Sequence, residues 1–208
     1  MKLTIFGSTG TLGTHVVQQA LANGHQVTAF ARNPSALKIE HPNLSLFPGD
    51  VFDEESVETA IKGADAVLVS LGSKKLTGTV RSVGTQNIVQ AMEKHHVKRL
   101  ICQTTLGIGE SEKNLNFFWK YIMFGLILRF VFNDHKAQEK IVKRSTLDWT
   151  IIHPASFTDG PATGNYKQGF SGDEKNITLK ISRADVAGFM LNQISDDTYL
   201  HQSPGLSY

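Results

Sequence analysis

The sequence predicts one α/β domain, residues 1–208, built as a doubly wound parallel sheet. Short apolar runs bounded by Gly or Pro alternate with longer stretches of helical periodicity. A glycine-rich turn follows the first of these runs and precedes an amphipathic stretch. The length of 208 residues fits a single core, because one core grows to roughly 250 residues before chains tend to divide.

The alternation places each element in order. We expect strands at Leu3–Phe6, Gln26–Phe30, Leu44–Phe47, Ala66–Ser70, Arg99–Gln103 and Trp149–His153. We expect helices at Thr11–Asn23, Glu54–Lys62, Thr79–Lys94, His135–Arg144 and Arg183–Ile194. Asp53 and Ser182 precede two of these helices, where a side-chain oxygen can accept a backbone N–H that has no partner within the helix. The glycine-containing stretch from Thr158 to Asn176 is expected to be a loop, either a binding loop or a solvated one.

The composition excludes several classes of function. With 40% apolar and 19% charged residues and a net charge of +2, nothing calls for a nucleic-acid partner. The single cysteine, Cys102, excludes an intrachain disulfide, and its apolar neighbours predict a buried, inert thiol. The histidines lack paired spacing, so we expect no metal site. The N-terminus has no signal-peptide pattern, which favours an unexported, cytoplasmic protein.

One stretch is unusually apolar: "FFWKYIMFGLILRFVF", from Phe117 to Phe132. It is shorter than the roughly 20 apolar residues of a membrane span and carries Lys120 and Arg129, so we expect no membrane span. The two cations fall on opposite sides of a helix, which leaves no single polar face. Such an apolar helix must be covered by the domain core, a bulky apolar substrate, a membrane surface or a second subunit. We favour packing in the core or over a binding site, and a homo-oligomer contact through Phe117–Phe132 is the alternative.

The opening turn, Gly7-Ser8-Thr9-Gly10-Thr11-Leu12-Gly13, predicts a dinucleotide-binding site in a Rossmann-like fold. The first glycine allows a tight turn, the second lets the backbone approach a pyrophosphate, and the third lets helix and strand pack closely. Free N–H groups at the start of the helix then bind phosphate, aided by the helix dipole. The whole turn, from Gly7 to Gly13, is the predicted cradle.

The second predicted strand indicates which dinucleotide binds. An acid at its end would hold the ribose 2′-hydroxyl of NAD, but here the chain has Arg32. A guanidinium pairs well with the 2′-phosphate of NADP, so NADP is the expected cofactor and NAD the less favoured one. Asp50 and Val51 would lie by the adenine. The turn after the fourth strand, Ser70-Leu71-Gly72, would run along the cofactor towards the nicotinamide.

The motifs as a set resemble a known family. Seven stretches carry the resemblance and occur in the same order as in that family: "IFGSTGTLG", "VTAFARNPSAL", "GDVFD", "AVLVSLGS", "QNIVQAM", "NDHKAQEKIV" and "TGNY". The family is that of atypical short-chain dehydrogenase/reductase-like NAD(P)H-binding proteins, and the resemblance is to its biliverdin reductase B (flavin reductase) type. The resemblance implies cofactor contacts at Gly7, Thr9, Gly10, Leu12, Gly13, Arg32, Asp50, Val51, Leu71 and Gly72. It also implies that Thr105 and His135 are site residues.

The chain departs from that family pattern at several positions. Ala36 and Lys74 each replace an arginine, which weakens the preference for NADP over NAD, although Lys74 keeps its charge as an expected cofactor contact. Thr105 replaces a serine and remains a hydroxyl donor. Ser156 replaces a histidine of the substrate site, and the apolar Phe117–Phe132 segment has no close match. The last two differences concern the substrate more than the cofactor.

Ordinary alcohol dehydrogenase chemistry is not expected. In short-chain dehydrogenases it relies on a Tyr-x-x-x-Lys pair in which Lys lowers the pKa of the Tyr. The residues four positions after Tyr121, Tyr166 and Tyr199 are Gly, Phe and Ser, and Tyr208 ends the sequence. A conjugated acceptor spreads the charge of an added hydride and needs no strong side-chain acid. The sequence thus favours NADPH-dependent reduction of a small planar acceptor: a flavin, quinone or bilin.

The reacting face is expected to be framed by His135, Thr105, Thr104, Pro154, Ala155 and Ser156. An unperturbed histidine titrates near neutrality, so His135 could protonate or hydrogen-bond the acceptor, and the strand-end His153 should also face the nicotinamide. The alternative function is a non-catalytic NADP-binding redox sensor of the same fold, with the Phe117–Phe132 segment as a partner-docking surface.

Overall fold

The computed structural model describes residues 1–73, 76–174 and 176–208. Its strands are β1 (Lys2–Phe6), β2 (Gln26–Ala31), β3 (Leu44–Pro48), β4 (Ala66–Val69), β5 (Arg99–Gln103), β6 (Asp148–Pro154), β7 (Ser156–Thr158), β8 (Lys167–Gln168), β9 (Lys180–Ser182) and β10 (Gly205–Ser207). Its α-helices are α1 (Thr11–Ala22), α2 (Glu54–Ile61), α3 (Val80–Lys94), α4 (Arg129–Arg144) and α5 (Arg183–Asn192). Short 3-10 turns lie at Pro34–Leu37 and Gly109–Asn114.

Eight strands form the main sheet in the order β3-β2-β1-β4-β5-β6-β10-β8. Neighbouring strands pair in parallel as far as β10, and β8 runs antiparallel to β10 at the edge. Strands β7 and β9 pair separately. The predicted α/β fold with a doubly wound, mostly parallel sheet is confirmed. The order of the strands reverses between β1 and β4, which is where such folds bind ligands.

Helices cover both faces of the sheet. Helices α1 and α5 pack on one face, and α2, α3 and α4 pack side by side on the other. Strand β1 shows why: Leu3 and Ile5 point into the first core, while Phe6 points into the second. A strand covered on both faces reads as a continuous apolar run, which is the pattern of β1 and β4.

The predicted caps and strand positions agree with the structure. Asp53 accepts a hydrogen bond from the Glu55 N–H at 3.2 Å, and Ser182 accepts one from the Asp185 N–H at 3.0 Å. Cys102 is fully buried, and burial raises the pKa of its thiol. The short strands β7 to β10 were not predicted, because two or three residues are too few to show a period. Helix α4 begins at Arg129, six residues before the predicted start.

The apolar segment folds as a π-helix over Phe118–Ile127 that leads into α4. The Leu128 N–H donates to the Met123 carbonyl, five residues earlier, at 2.6 Å. All ten residues of the π-helix are at least partly exposed. Across the residues described, no helix is both long and apolar enough to cross a membrane.

Candidate functional site

A cleft of about 1080 Å³ opens at the carboxyl ends of β1 and β4, where the strand order reverses. Its floor comes from the turns that follow the parallel strands, because these turns all emerge at the same edge of the sheet. One wall is formed by Thr77, Gly78 and Thr79 together with the start of α3, and the π-helix covers another side. The cleft is large enough for a dinucleotide and part of a second ligand.

The glycine turn has the geometry that a phosphate cradle requires. Gly7 has a φ of +80°, and a Cβ there would overlap the Ser70 carbonyl oxygen. A Cβ at Gly13 would overlap the Gly7 carbonyl oxygen, so this glycine lets α1 pack against the turn. The Gly10 N–H donates to the same carbonyl at 2.9 Å, which closes the turn. Two of the three glycines are therefore required by sterics.

The start of α1 is open to an anion. Gly10 is the N-cap and offers no side chain, and the first turn of α1 contains no acidic residue. The helix dipole and the uncapped N–H groups therefore face the cleft, whose lining includes Thr9, Gly10, Thr11 and Leu12. The Ser8 side chain is turned away: its buried hydroxyl donates to the Phe30 carbonyl at 3.0 Å. Ser8 can offer only its backbone to a ligand.

Arg32 lies at the end of β2 on the rim of the cleft, with Asp50, Val51 and Phe52 beside it. Its side chain is exposed and has no hydrogen bond or ion pair with the residues the structure describes. A guanidinium in this state is available to a phosphate. Asp50 accepts from the Phe52 N–H at 3.1 Å, which fixes the turn there.

Apart from His153, the other described residues expected to contact the cofactor or the acceptor line the cleft. Its lining also includes Ser70, Leu71, Gly72, Thr104, Thr105, Pro154, Ala155 and Ser156. The Thr104 hydroxyl donates to Glu139 Oε1 at 2.8 Å, and the Thr105 hydroxyl donates to the Leu106 carbonyl at 3.3 Å. Lys74 lies outside the described residues.

His135 lines the cleft and is buried. Burial, reinforced by the nearby charge of Arg81, lowers its pKa to about 4, so it is neutral at pH 7 and the expectation of titration near neutrality is wrong. Its Nδ1 lies 3.1 Å from Gln138 Oε1, while the amide nitrogen of Gln138 bonds the Thr85 hydroxyl at 3.0 Å. Because this network makes Gln138 Oε1 the acceptor, Nδ1 carries the proton and Nε2 is left as an acceptor.

Arg81 lines the cleft, although nothing in the sequence indicated it. It is the second residue of α3 and has a side chain only 10% exposed. Asp134 of α4 accepts from the Arg81 and Ser82 N–H groups at 3.1 and 3.0 Å, and so caps α3 from a different helix. An arginine near the start of a helix is ordinarily solvated, so only the packing of α3 on α4 identifies it.

His153 does not line the cleft, contrary to expectation. Its Nε2 lies 2.7 Å from Glu139 Oε1, and its Nδ1 lies 3.1 Å from the Ser111 hydroxyl. Glu139 is buried, which alone would raise its pKa, yet the hydrogen bonds and charges of His153 and Lys143 lower that pKa to about 2. These side chains tie β6 to α4 and to the Gly109–Asn114 turn.

The apolar segment covers the cleft, as the favoured interpretation predicted. Trp119, Phe124 and Leu128 line it together with Leu115. The rings of Phe124 and Phe132 stack with their centroids 4.5 Å apart, and Phe132 is buried on α4. The opposite side of the segment is exposed. The surroundings are thus apolar where a ring could lie and polar where phosphates could lie.

The predicted loop after β7 has a structural role at its centre. Asp185 accepts from the Thr163 and Gly164 N–H groups, each at 2.8 Å, and from the Tyr208 hydroxyl at 2.6 Å. These bonds lower the pKa of Asp185 even though its burial acts in the opposite direction. The cleft is lined by Phe157 before this loop and Leu179 after it.

The residues fit a dinucleotide, and comparisons with known proteins agree. The NAD(P)H-binding family pattern matches residues 7–197. Photosystem II assembly factor Ycf39 of Synechocystis is 25% identical over 95% of the chain, which spans 60% of the length of that relative.

Two solved structures superpose closely. ChuY of Escherichia coli O157:H7, described as an anaerobilin reductase, is 25% identical with a TM-score of 0.82, over 100% of this chain and 97% of that one. A short-chain dehydrogenase/reductase of Veillonella parvula in complex with NADP has a TM-score of 0.83 at 18% identity, over 100% and 94% of the two chains, which is a likeness of fold. The resemblance noted from the motifs is confirmed at the level of the family.

Proposed function

The chain belongs to the NAD(P)H-binding family, and from this premise we propose that it is a reductase that uses NADPH to reduce a planar conjugated acceptor of the flavin, quinone or bilin type. The observation that carries the proposal is the composition of the cleft. A glycine cradle and an open helix N-terminus lie in the same cleft as the apolar cover of Trp119, Phe124 and Leu128.

The cofactor assignment rests on two positive features of the cleft. The turn from Gly7 to Gly13 with the start of α1 would hold the pyrophosphate, and Arg32 would bind the 2′-phosphate. The adenosine would be bordered by Asp50 and Val51. The turn Ser70-Leu71-Gly72 would lie along the cofactor towards the nicotinamide ribose. NADP is the preferred cofactor because no acid stands at the end of β2 to bind a free ribose.

Bound NADPH supplies a hydride, and the protein's residues position the acceptor and exclude water. The π-helix lays aromatic surface over the place where a planar ring would stack. His135 is neutral, so it orients the acceptor by accepting a hydrogen bond at Nε2 and is not a source of protons at pH 7. The cleft on the side of His135 is also bordered by five residues at or just after the ends of β5 and β6: Thr104, Thr105, Pro154, Ala155 and Ser156. The reduced acceptor would take up its proton from solvent as it leaves the cleft.

A redox sensor that binds NADP without turnover is the second candidate. The observation that favours it is the exposed apolar face of the π-helix segment, formed by Phe117, Phe118, Tyr121, Leu126, Ile127 and Phe130. Such a face fits a partner protein or a second copy of the chain.

Consumption of NADPH separates the two functions. The loss of nicotinamide absorbance would be followed with a panel of flavins, quinones and bilins, alongside direct NADPH binding. The reductase proposal expects turnover with at least one acceptor. Tight binding without consumption across the panel contradicts it and supports the sensor.

A further inference from the structure

Arg81 is a cation whose hydrogen-bonding groups are not used up by the protein. Its side chain is nine-tenths buried, and Nε has no partner among the residues described. The carboxylate paired with it, Oδ2 of Asp134, lies 3.6 Å from a terminal guanidinium nitrogen, which is too long for a hydrogen bond.

Asp134 is already engaged elsewhere. Its two oxygens accept the Arg81 and Ser82 N–H groups, and Oδ1 also accepts the Ser82 hydroxyl at 2.6 Å. It therefore serves mainly as the cap of α3 and only partly offsets the guanidinium charge. Burying an incompletely paired cation is unfavourable, and an anion from a ligand would remove that cost.

The position of Arg81 indicates where this anion comes from. The open start of α1 and the exposed Arg32 already offer partners to the pyrophosphate and the 2′-phosphate of the cofactor. Arg81 instead contacts Asp134, the residue next to His135 in α4, and both Arg81 and His135 line the cleft at the end proposed for the reaction. The remaining anion would belong to the acceptor.

We propose that Arg81 is the anion-binding subsite for the acceptor, so that the cleft selects planar acceptors with an acidic substituent, a carboxylate or a phosphate. The planar fork of a guanidinium suits both groups, since it can donate two parallel hydrogen bonds. The proposal rests on the reductase function for the placement of the acceptor, but its test does not need turnover.

The test compares pairs of ligands with the same planar ring system, in which one member carries an acidic group that the other lacks. Binding to the NADP⁺-saturated protein would be measured by fluorescence for FMN against riboflavin, and for a bilin dicarboxylate against its dimethyl ester. Charge-assisted hydrogen bonds predict about tenfold tighter binding of the charged member in at least one pair. Equal affinity within both pairs, or no binding of any of the four ligands, overturns the proposal.

Variants assign the preference to Arg81. Arg81→Met should bring the charged-to-neutral affinity ratio to about one, and Arg81→Lys should retain part of it. Arg129→Met is the matched control, because Arg129 is exposed and outside the cleft lining, and it should keep the wild-type ratio.

The remaining outcomes separate the two proposals. If Arg81→Met weakens NADPH binding and leaves the ligand ratio intact, the anion belongs to the cofactor and the subsite proposal is wrong. Turnover of neutral quinones without any charge preference would retain the reductase and remove the subsite. Charge-selective binding without NADPH consumption would retain the subsite and contradict the reductase.

Discussion

Nε2 of His153 lies 2.7 Å from Oε1 of Glu139, with both side chains buried beneath the cleft. The pair joins β6 to α4, the helix that also carries His135, Gln138 and Asp134. Polar contacts along one helix therefore hold the end of the cleft that His135 lines, so α4 connects the stability of the fold to the proposed chemistry.

Glu139→Gln tests that connection. The change leaves the Lys143 amine and the buried His153 without a carboxylate, and we expect it to lower the free energy of unfolding by about 3 kcal/mol. Lys143→Gln is the control: Lys143 is 42% exposed, so its loss should cost less than about 1 kcal/mol. Urea denaturation followed by circular dichroism measures both, and equal effects would contradict a structural role for the buried pair.

The low pKa of His135 predicts acid sensitivity. Its folded-state pKa of about 4 is below the ordinary value of 6.5, so the unfolded chain binds the proton more tightly. Stability from this group is complete above pH 6.5 and is lost as the pH falls towards 4, with a loss of about 2 kcal/mol by pH 5.

Urea titrations at pH 7.5 and 5.0 measure the effect. His135→Gln should show a smaller decrease in stability between the two than the wild type. His41→Gln, at an exposed position, should behave like the wild type. A His135→Gln protein with an undiminished pH dependence would place the acid sensitivity in another group, but not in Glu139, whose contribution declines only between pH 4.5 and about 2.

Arg32→Glu tests the choice of cofactor. The substitution replaces a phosphate-binding guanidinium with a carboxylate, so NADPH affinity should fall by about tenfold to a hundredfold relative to NADH. Lys62→Glu makes the same charge change at an exposed position outside the cleft and should leave the ratio of the two affinities unchanged. Isothermal titration with both cofactors gives the ratio, and a parallel loss for both would show that Arg32 does not read the 2′-phosphate.

Phe124→Ala tests the apolar cover. Phe124 lines the cleft and stacks on Phe132, so its truncation should raise the KM for an acceptor about tenfold while changing NADPH affinity little. Leu126→Ala lies two residues away with its side chain outside the lining and should have no such effect. Steady-state kinetics at saturating NADPH measures this, and similar kinetics for both variants would remove the π-helix from acceptor binding.

The exposed side of the apolar segment predicts self-association. Leu126 and Phe130 are 75% and 61% exposed, and a second copy of the chain would bury them. We expect a dimer by sedimentation, shifted to monomer by Leu126→Ser with Phe130→Ser. Glu54→Ser with Lys62→Ser changes an exposed site outside this segment and should keep the dimer. A wild-type protein that stays monomeric at high concentration would contradict self-association through this face.

The sequence by itself determined the doubly wound architecture and the position of the glycine turn. Both depend on signals local to the chain: the period of the apolar residues, and glycines at three fixed positions between a strand and a helix. A Cβ at Gly7 or Gly13 would overlap a backbone carbonyl oxygen, so only glycine fits at these two positions and the constraint is visible in the sequence itself.

The tertiary structure alone decided what surrounds His135 in the cleft. Arg81 and Asp134 lie 53 residues apart in the chain, and their meeting depends on how α3 packs on α4. The same packing buries His135 and so lowers its pKa, whereas the sequence suggested an ordinary histidine. The strand-end position of His153 suggested a site residue, but Glu139 and Ser111 hold it beneath the cleft. Burial and distant partners set the charge of a side chain, and neither has a local pattern in the sequence.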